Sequence, residues 1–304
     1  MNTTPSTCST RRTRIPPHGA CLPRLPDGIK ACLFDLDGVI TKTDVQHRQA
    51  WKGTFDPFLR EYEGEAGRPF SLGDYMRYVD GMPRHEAVHH LLASRNILLP
   101  PGDSHDLPGQ DSEHALANRK DELLTRSLDD EFIETYPGTL RFVRAARRAG
   151  MRTALVSASS HCAQVIGACG ADHLFDTRID GHTARERPLR GKPAPDSYNE
   201  AASELRAAPG EAAVFEDGPA GIEAAVRGRF GWIVAIDRCG RREDLLKPGP
   251  DLVVDDLAEL LQPPTTHDRQ APTRGPANPR HLERIHARDR RSDQSHQHQD
   301  GPGP

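Results

Sequence analysis

Residues 30–38 read Lys30-Ala31-Cys32-Leu33-Phe34-Asp35-Leu36-Asp37-Gly38, an apolar run that ends in two carboxylates and a glycine. A short apolar run closed by a turn residue reads as a strand buried on both faces, as in a parallel sheet. In an extended segment, positions i and i+2 point to the same side, so Asp35 and Asp37 face one spot. Two carboxylates facing one spot repel, which implies a divalent cation, a proton held by one of them, or both. On its own, D-x-D-G is also what a solvated Asp-rich turn looks like.

Further short apolar runs follow at Thr153 to Ser157, Ala212 to Phe215, Trp232 to Ile236 and Leu252 to Val254, separated by amphipathic stretches. This alternation predicts repeated β-α units around a parallel sheet. After Pro137-Gly138, residues Leu140, Val143, Ala146 and Ala149 recur at helical spacing and the pattern stops at Gly150. Pro195 and Pro219 sit where helices would begin, which suits their fixed φ and missing N–H. The fold class is therefore α/β, a Rossmann-like doubly wound parallel sheet formed by residues 29–42 and 135–262.

The interval 43–134 breaks this rhythm and reads as helical, most clearly in LGDYMRYV, EAVHHLLASR and HALANRKDELLTRSL. It predicts an inserted α-helical cap domain above the C-terminal edge of the sheet, where open α/β sheets place their ligand sites. Leu99 to Asp111, rich in Pro, Gly and Asp, predicts a surface loop within it. Residues 1–28 and 263–304 show no period and are expected to be disordered tails. The second tail holds His267, His281, His286, His296 and His298 at irregular spacing, which argues against a metal site there.

Forty Lys plus Arg against 44 Asp plus Glu give a net charge of -4, which offers no electrostatic case for a nucleic-acid or membrane partner. No run approaches the roughly 18 apolar residues of a spanning helix. The six cysteines lack C-x-x-C pairs and zinc-ligand spacing, which suits free thiols in a reducing cytoplasm. The Arg-rich N-terminal stretch has no secretory apolar segment. A cytoplasmic enzyme is expected, acting as a monomer.

Three further polar clusters fall at predicted strand ends. Ser157, followed by Ser159 and Ser160, offers a hydroxyl and backbone N–H groups to an anion, although Ser is also a common helix N-cap. Gly191-Lys192-Pro193-Ala194-Pro195-Asp196 holds a lysine between a glycine and a rigid segment. Glu216-Asp217-Gly218-Pro219 places adjacent acids after a strand, either to favour a helix dipole or to supply the hard oxygens that Mg²⁺ selects. Each cluster is ambiguous alone. The order D-x-D-G, Ser, G-K-P, E-D-G, each at a strand end, points to one phosphate and metal site.

At these residues the chain resembles the haloacid dehalogenase superfamily of phosphotransferases, and within it the β-phosphoglucomutase group. The likeness covers about residues 29 to 261 and rests on FDLDGVITKTDVQHRQAWK, GKPAPD and E-D-x-x-A-G-I. The resemblance implies that Asp35 is the nucleophile and forms an aspartyl-phosphate. Asp37 would be the general acid and base, which needs a raised pKa. Mg²⁺ would be held by Asp35, the backbone carbonyl of Asp37, and Asp217, with Glu216 nearby or ligating. Ser157 would bind a phosphoryl oxygen, and Lys192 would balance negative charge.

From the cap, His47, Trp51 and Lys120 would position a small sugar phosphate. Arg84 would grip a second phosphate, with Ser159 and Ser160 also at the substrate. Three positions depart from the group's pattern: Ser160-His161 replaces Lys-Asn, Asp80 replaces a lysine, and Lys42 replaces a hinge aspartate. The expected activity is interconversion of β-glucose 1-phosphate and glucose 6-phosphate through the 1,6-bisphosphate. The alternative is a sugar-phosphate phosphatase. Dehalogenation does not suit the acids Asp37, Glu216 and Asp217, and a non-catalytic binding module does not suit so complete a set.

Overall fold

A computed structural model of the chain describes residues 21–64, 67–130 and 132–262. The expected tail histidines and most of both tails lie outside the described residues.

Strands β1 (Leu22–Pro23), β2 (Ala31–Phe34), β3 (Arg152–Val156), β4 (Thr177–Ile179), β5 (Ala212–Glu216), β6 (Trp232–Ile236), β7 (Leu252–Val254) and β8 (Leu261–Gln262) form two sheets. The larger has the order β4-β3-β2-β5-β6-β7, and all its neighbours are parallel. The helices are α1 (Asp44–Glu63), α2 (Leu72–Tyr78), α3 (Arg84–Ser94), α4 (Glu113–Asp130), α5 (Pro137–Arg148), α6 (Cys162–Ala168), α7 (Gly181–Glu186), α8 (Asp196–Glu204), α9 (Pro219–Arg227) and α10 (Arg242–Leu246). Among the described residues, no helix is long and apolar enough to cross a membrane.

The period of two along each strand sorts its side chains into two apolar layers. Cys32, Phe34, Leu155, Ala213, Phe215, Val234 and Ile236 face one layer. Ala31, Leu33, Ala154, Val156, Val214, Ile233 and Ala235 face the other. Phe34 stacks on Phe215 with centroids 4.6 Å apart and meets Phe142 of α5 edge-on, which locks the central strands to that helix. Leu140, Val143 and Ala146 bury one face of α5, and Gly150 ends the segment at φ +88°. A third apolar cluster lies within the insertion, with Trp51, Phe55, Tyr75, Val88 and Leu91 among its members, so the inserted helices have a core of their own.

Two departures from expectation concern edges. Thr177–Ile179 forms a strand that the sequence did not announce, because it is short, lies at the sheet edge and carries Arg178 in its middle. The expected N-terminal tail, 1–28, is also too long. Leu22–Pro23 pairs antiparallel with Leu261–Gln262, and the Arg24 N–H donates to the Leu260 carbonyl at 2.7 Å. Backbone pairing between segments so far apart leaves no period in either.

Strand β2 lies between β3 and β5, so the chain moves outward from it in opposite directions. Its C-terminal end is the switch point of the sheet. The insertion leaves and returns beside that end: the Lys42 N–H donates to the Glu134 carbonyl and the Tyr136 N–H to the Ile40 carbonyl, both at 2.9 Å. These paired linkers set α1–α4 beside the ends of β2, β3 and β5.

Candidate active site

Asp35 is the first residue beyond β2, and its N–H still continues the sheet by donating to the Phe215 carbonyl at 3.0 Å. This fixes a buried carboxylate at the floor of a cavity of about 570 Å³. Lys192 is 2% exposed and donates from Nζ to Asp35 Oδ1 and to Glu216 Oε1. Burial by itself works against that ammonium, but Asp35 and Glu216 beside it outweigh burial and raise its pKa well above the usual range.

Glu216, the last residue of β5, has both oxygens engaged. Oε1 also accepts from Tyr198 Oη at 2.8 Å, and Oε2 accepts from the N–H groups of Asp217 and Gly218 at 3.0 and 3.1 Å. Its place is therefore to hold Lys192 and the turn that carries Asp217. Gly221 is required opposite it, since a Cβ there would lie 1.7 Å from Glu216 Oε1.

Asp35, Glu216 and Asp217 present carboxylate oxygens within 4.8 Å of one another. Gly38 allows this approach: it has φ +82°, and a Cβ on it would lie 1.7 Å from Asp217 Oδ2. Burial raises the Asp35 carboxyl well above its ordinary range, Lys192 pulls it down, and Glu216 and Asp37 push it up again. Burial, then Asp80, Glu216 and Asp35, raise Asp217 in the same way. Asp80, the cap residue at one departure from the group's pattern, is pushed to about 7, by burial first and Glu216 next. One ammonium thus faces more buried carboxylates than it can neutralise, and these hard oxygens fit a small divalent cation.

Asp37 is held by neighbours from both parts of the fold. Thr43 Oγ1 donates to its Oδ1, Ser157 Oγ lies 3.4 Å from Oδ2, and His47 Nε2 of α1 is 3.7 Å from Oδ1. Burial and then Lys120 lower the His47 pKa to about 4, against the pull of Asp37. Lys120 Nζ sits 3.3 Å from His47 Nδ1 and 5.3 Å above the Trp51 ring, and burial lowers its pKa to about 8.

The same cavity is also lined by Arg84, Lys120, His161 and Arg185, with Glu86 and Asp121 among them. Asp121 Oδ1 accepts from Arg84 Nη1 at 2.7 Å and lies 3.0 Å from His161 Nε2, which joins α4 of the insertion to the start of α6. Burial alone would raise Asp121, but His161 and Arg84 outweigh it and lower its pKa. Arg185 Nη1 donates to Ser160 Oγ at 3.0 Å. Asp35, Asp37, His47, Trp51, Arg84, Lys120, Ser157, Ser159, Ser160, Lys192, Glu216 and Asp217 therefore all line one cavity. Sequence reasoning did not single out Asp121, Tyr198 or Arg185. Asp121 follows Lys120 in a charged helix, and nothing in that stretch marks which of its acids turns inward.

A family model described as haloacid dehalogenase-like hydrolase matches residues 29–228. The β-phosphoglucomutases of Mycobacterium bovis and Mycobacterium tuberculosis are each 41% identical over 244 residues, covering 78% of this chain and 93% of theirs. The fructose-1-phosphate phosphatase YqaB of Escherichia coli is 26% identical over 193 residues, covering 64% of this chain and 89% of its own. Among solved structures, CbbY from Rhodobacter sphaeroides in complex with phosphate superposes with a TM-score of 0.57 at 26% identity, covering 76% of this chain and 96% of that one. With the parallel sheet and its strand-end motifs, these likenesses establish that the chain belongs to the haloacid dehalogenase-like hydrolase family and is akin to its β-phosphoglucomutases.

Proposed function

We propose that the protein is a Mg²⁺-dependent β-phosphoglucomutase, converting β-glucose 1-phosphate to glucose 6-phosphate through the 1,6-bisphosphate. The observation that carries this reading is the make-up of the cavity. Asp35, Asp217 and Lys192 share it with Arg84, Lys120, His161 and Arg185. A sugar that carries two phosphates matches a site with cations beyond the one that faces Asp35. The identity of 41% to mycobacterial β-phosphoglucomutases supports it further.

In one half-reaction a carboxylate oxygen of Asp35 attacks a phosphorus of the bisphosphate, and the bond from that phosphorus to the sugar oxygen breaks. Asp37 gives its proton to that oxygen, which leaves a sugar monophosphate and an aspartyl-phosphate on Asp35. In the other half, Asp37 takes the proton of the free 6-hydroxyl of β-glucose 1-phosphate, whose oxygen attacks the aspartyl-phosphate, forms the bisphosphate and frees Asp35. Thr43 and His47 reach Asp37 from the insertion side, so closure of a cap built from residues 43–134 orients the acid. Lys192 steadies negative charge on Asp35, and Ser157 holds a phosphoryl oxygen. Mg²⁺, when bound by Asp35, the Asp37 carbonyl and Asp217, supplies charge neutralisation on the transferring group. Glu216 stands behind these ligands as the partner of Lys192.

A second reading, a sugar-phosphate phosphatase with water as acceptor, is favoured by one feature. Ser160-His161 stands where the mutase pattern has Lys-Asn, which leaves His161 and Arg185, bonded to Ser160, as the cations at that place. The nucleophile is common to both readings. Asp35→Asn is expected to abolish turnover and the acid-stable, base-labile phosphoenzyme seen by mass spectrometry, and retained turnover would refute the assignment.

A further inference from the structure

Arg238 lies two residues beyond β6, outside the lining of the main cavity, with its side chain only 10% exposed. Its Nε donates to the Gly38 carbonyl at 3.0 Å, and Nη1 to the Asp255 carbonyl at 2.8 Å and Asp256 Oδ2 at 3.3 Å. Nη2 donates to Thr139 Oγ1 at 3.3 Å, and the guanidinium carbon lies 3.6 Å from the centroid of the Tyr136 ring. Removing an arginine from water to this extent is costly, and only one of these partners is charged. One of its donors fixes the turn that follows Asp37, at the Gly38 carbonyl, while the others anchor it to Thr139 of α5 and to Asp255 and Asp256.

That turn is gripped from two sides. The Gly38 N–H donates to the Thr41 carbonyl at 2.8 Å, and the Gly38 carbonyl receives Arg238. The peptide between Asp37 and Gly38 is planar and trans, so fixing its N–H aims the Asp37 carbonyl in the opposite direction. There is no room for even a Cβ between Gly38 and Asp217, so a shift of the turn toward that carboxylate would displace it. Arg238 further ties the turn to Tyr136 and Thr139, where the chain re-enters the sheet domain after the insertion.

We infer that Arg238 is a positioning residue for the cation site: through Gly38 it holds the Asp37 carbonyl and Asp217 at the spacing a divalent ion needs. The inference rests on the Mg²⁺ reading of Asp35, Asp37 and Asp217. Groups that orient metal ligands from behind typically cost about 10–100-fold in metal affinity when removed.

The test is calorimetric titration of Mg²⁺ into the full-length wild type, Arg238→Met and Arg238→Lys. Each protein's melting temperature and its KM for β-glucose 1-phosphate are measured alongside. Arg238→Met is expected to bind Mg²⁺ at least about tenfold more weakly, with KM changed by less than about threefold. Arg238→Lys keeps one donor for Gly38 but loses the fork and the stack, and is expected to fall between. Wild-type Mg²⁺ affinity in Arg238→Met, or in Arg238→Lys should the first variant not fold, would overturn the inference. So would parallel losses in Mg²⁺ affinity, KM and melting temperature, which would mark Arg238 as general support of the fold. Absence of Mg²⁺ binding by the wild type would overturn the metal reading itself, and this inference with it.

Discussion

Lys192 donates to Asp35 from a position that is 2% exposed, and it shares the same ammonium with Glu216. The lysine therefore ties two buried carboxylates together, and in the proposed mechanism it also serves the chemistry. Lys192→Met leaves two buried carboxylates without their counter-ion, which is expected to cost about 3–5 kcal/mol of stability. In the proposed mechanism it also removes a charge that faces the transferring group, so kcat is expected to fall about 100- to 1000-fold in the fraction that remains folded. Urea unfolding and single-turnover kinetics check the two effects separately. A variant within about tenfold of wild type in kcat would show that Lys192 acts on stability alone.

His47 and Lys120 touch, and both have pKa values lowered chiefly by burial. For His47 the folded value is about 4 against an ordinary 6.5, so the unfolded chain binds more protons between those limits. Stability from this group is complete above the unfolded value and is lost as pH falls through that window. Urea unfolding followed across the window should show the loss, and His47→Asn should flatten it. For Lys120 the window runs from about 8 to 10.5, and stability rises with pH through it for the same reason. Its positive charge fades above about 8, so kcat/KM is expected to decline there, and Lys120→Met should lack that alkaline limb.

Arg84 is oriented by Asp121 at 2.7 Å, and it lines the cavity. If it grips the non-reacting phosphate, Arg84→Ala should lower kcat/KM about 10- to 100-fold, the worth of a charge-assisted pair. Arg84→Lys should recover little, because a point charge does not reproduce a two-pronged contact. Steady-state kinetics on β-glucose 1-phosphate distinguish these outcomes from an unchanged rate, which would place Arg84 outside the substrate's reach.

What the chain discloses about itself follows from where its information is local. Ala31–Phe34, Arg152–Val156 and Ala212–Glu216 are apolar on both faces and end in polar clusters, so strand, sheet type and site floor can be read together. Asp35, Ser157 and Asp217 were legible for the same reason, since a strand end fixes where a side chain points; Lys192, whose cluster was expected at a strand end, lies instead in the loop between α7 and α8. Thr177–Ile179 was not, because an edge strand interrupted by Arg178 has no apolar run to show. Helix α1 carries Pro57 within it and buries polar groups such as Thr54, which blurs its period. Asp121 and Arg185 reach the cavity only through the packing of the inserted helices and of α7, information carried by tertiary contacts rather than by spacing. Tyr198 is similar: its helix was expected, but its bond to Glu216 depends on how α8 lies against β5.

The acceptor of the phosphoryl group proposed to form on Asp35 separates a mutase from a phosphatase. The most direct measurement supplies β-glucose 1-phosphate with Mg²⁺ and a trace of glucose 1,6-bisphosphate, and follows glucose 6-phosphate and inorganic phosphate in the same reaction. The mutase account predicts that glucose 6-phosphate accumulates well ahead of free phosphate and that both signals vanish in Asp35→Asn. Release of phosphate with no glucose 6-phosphate would contradict it and assign water as the acceptor.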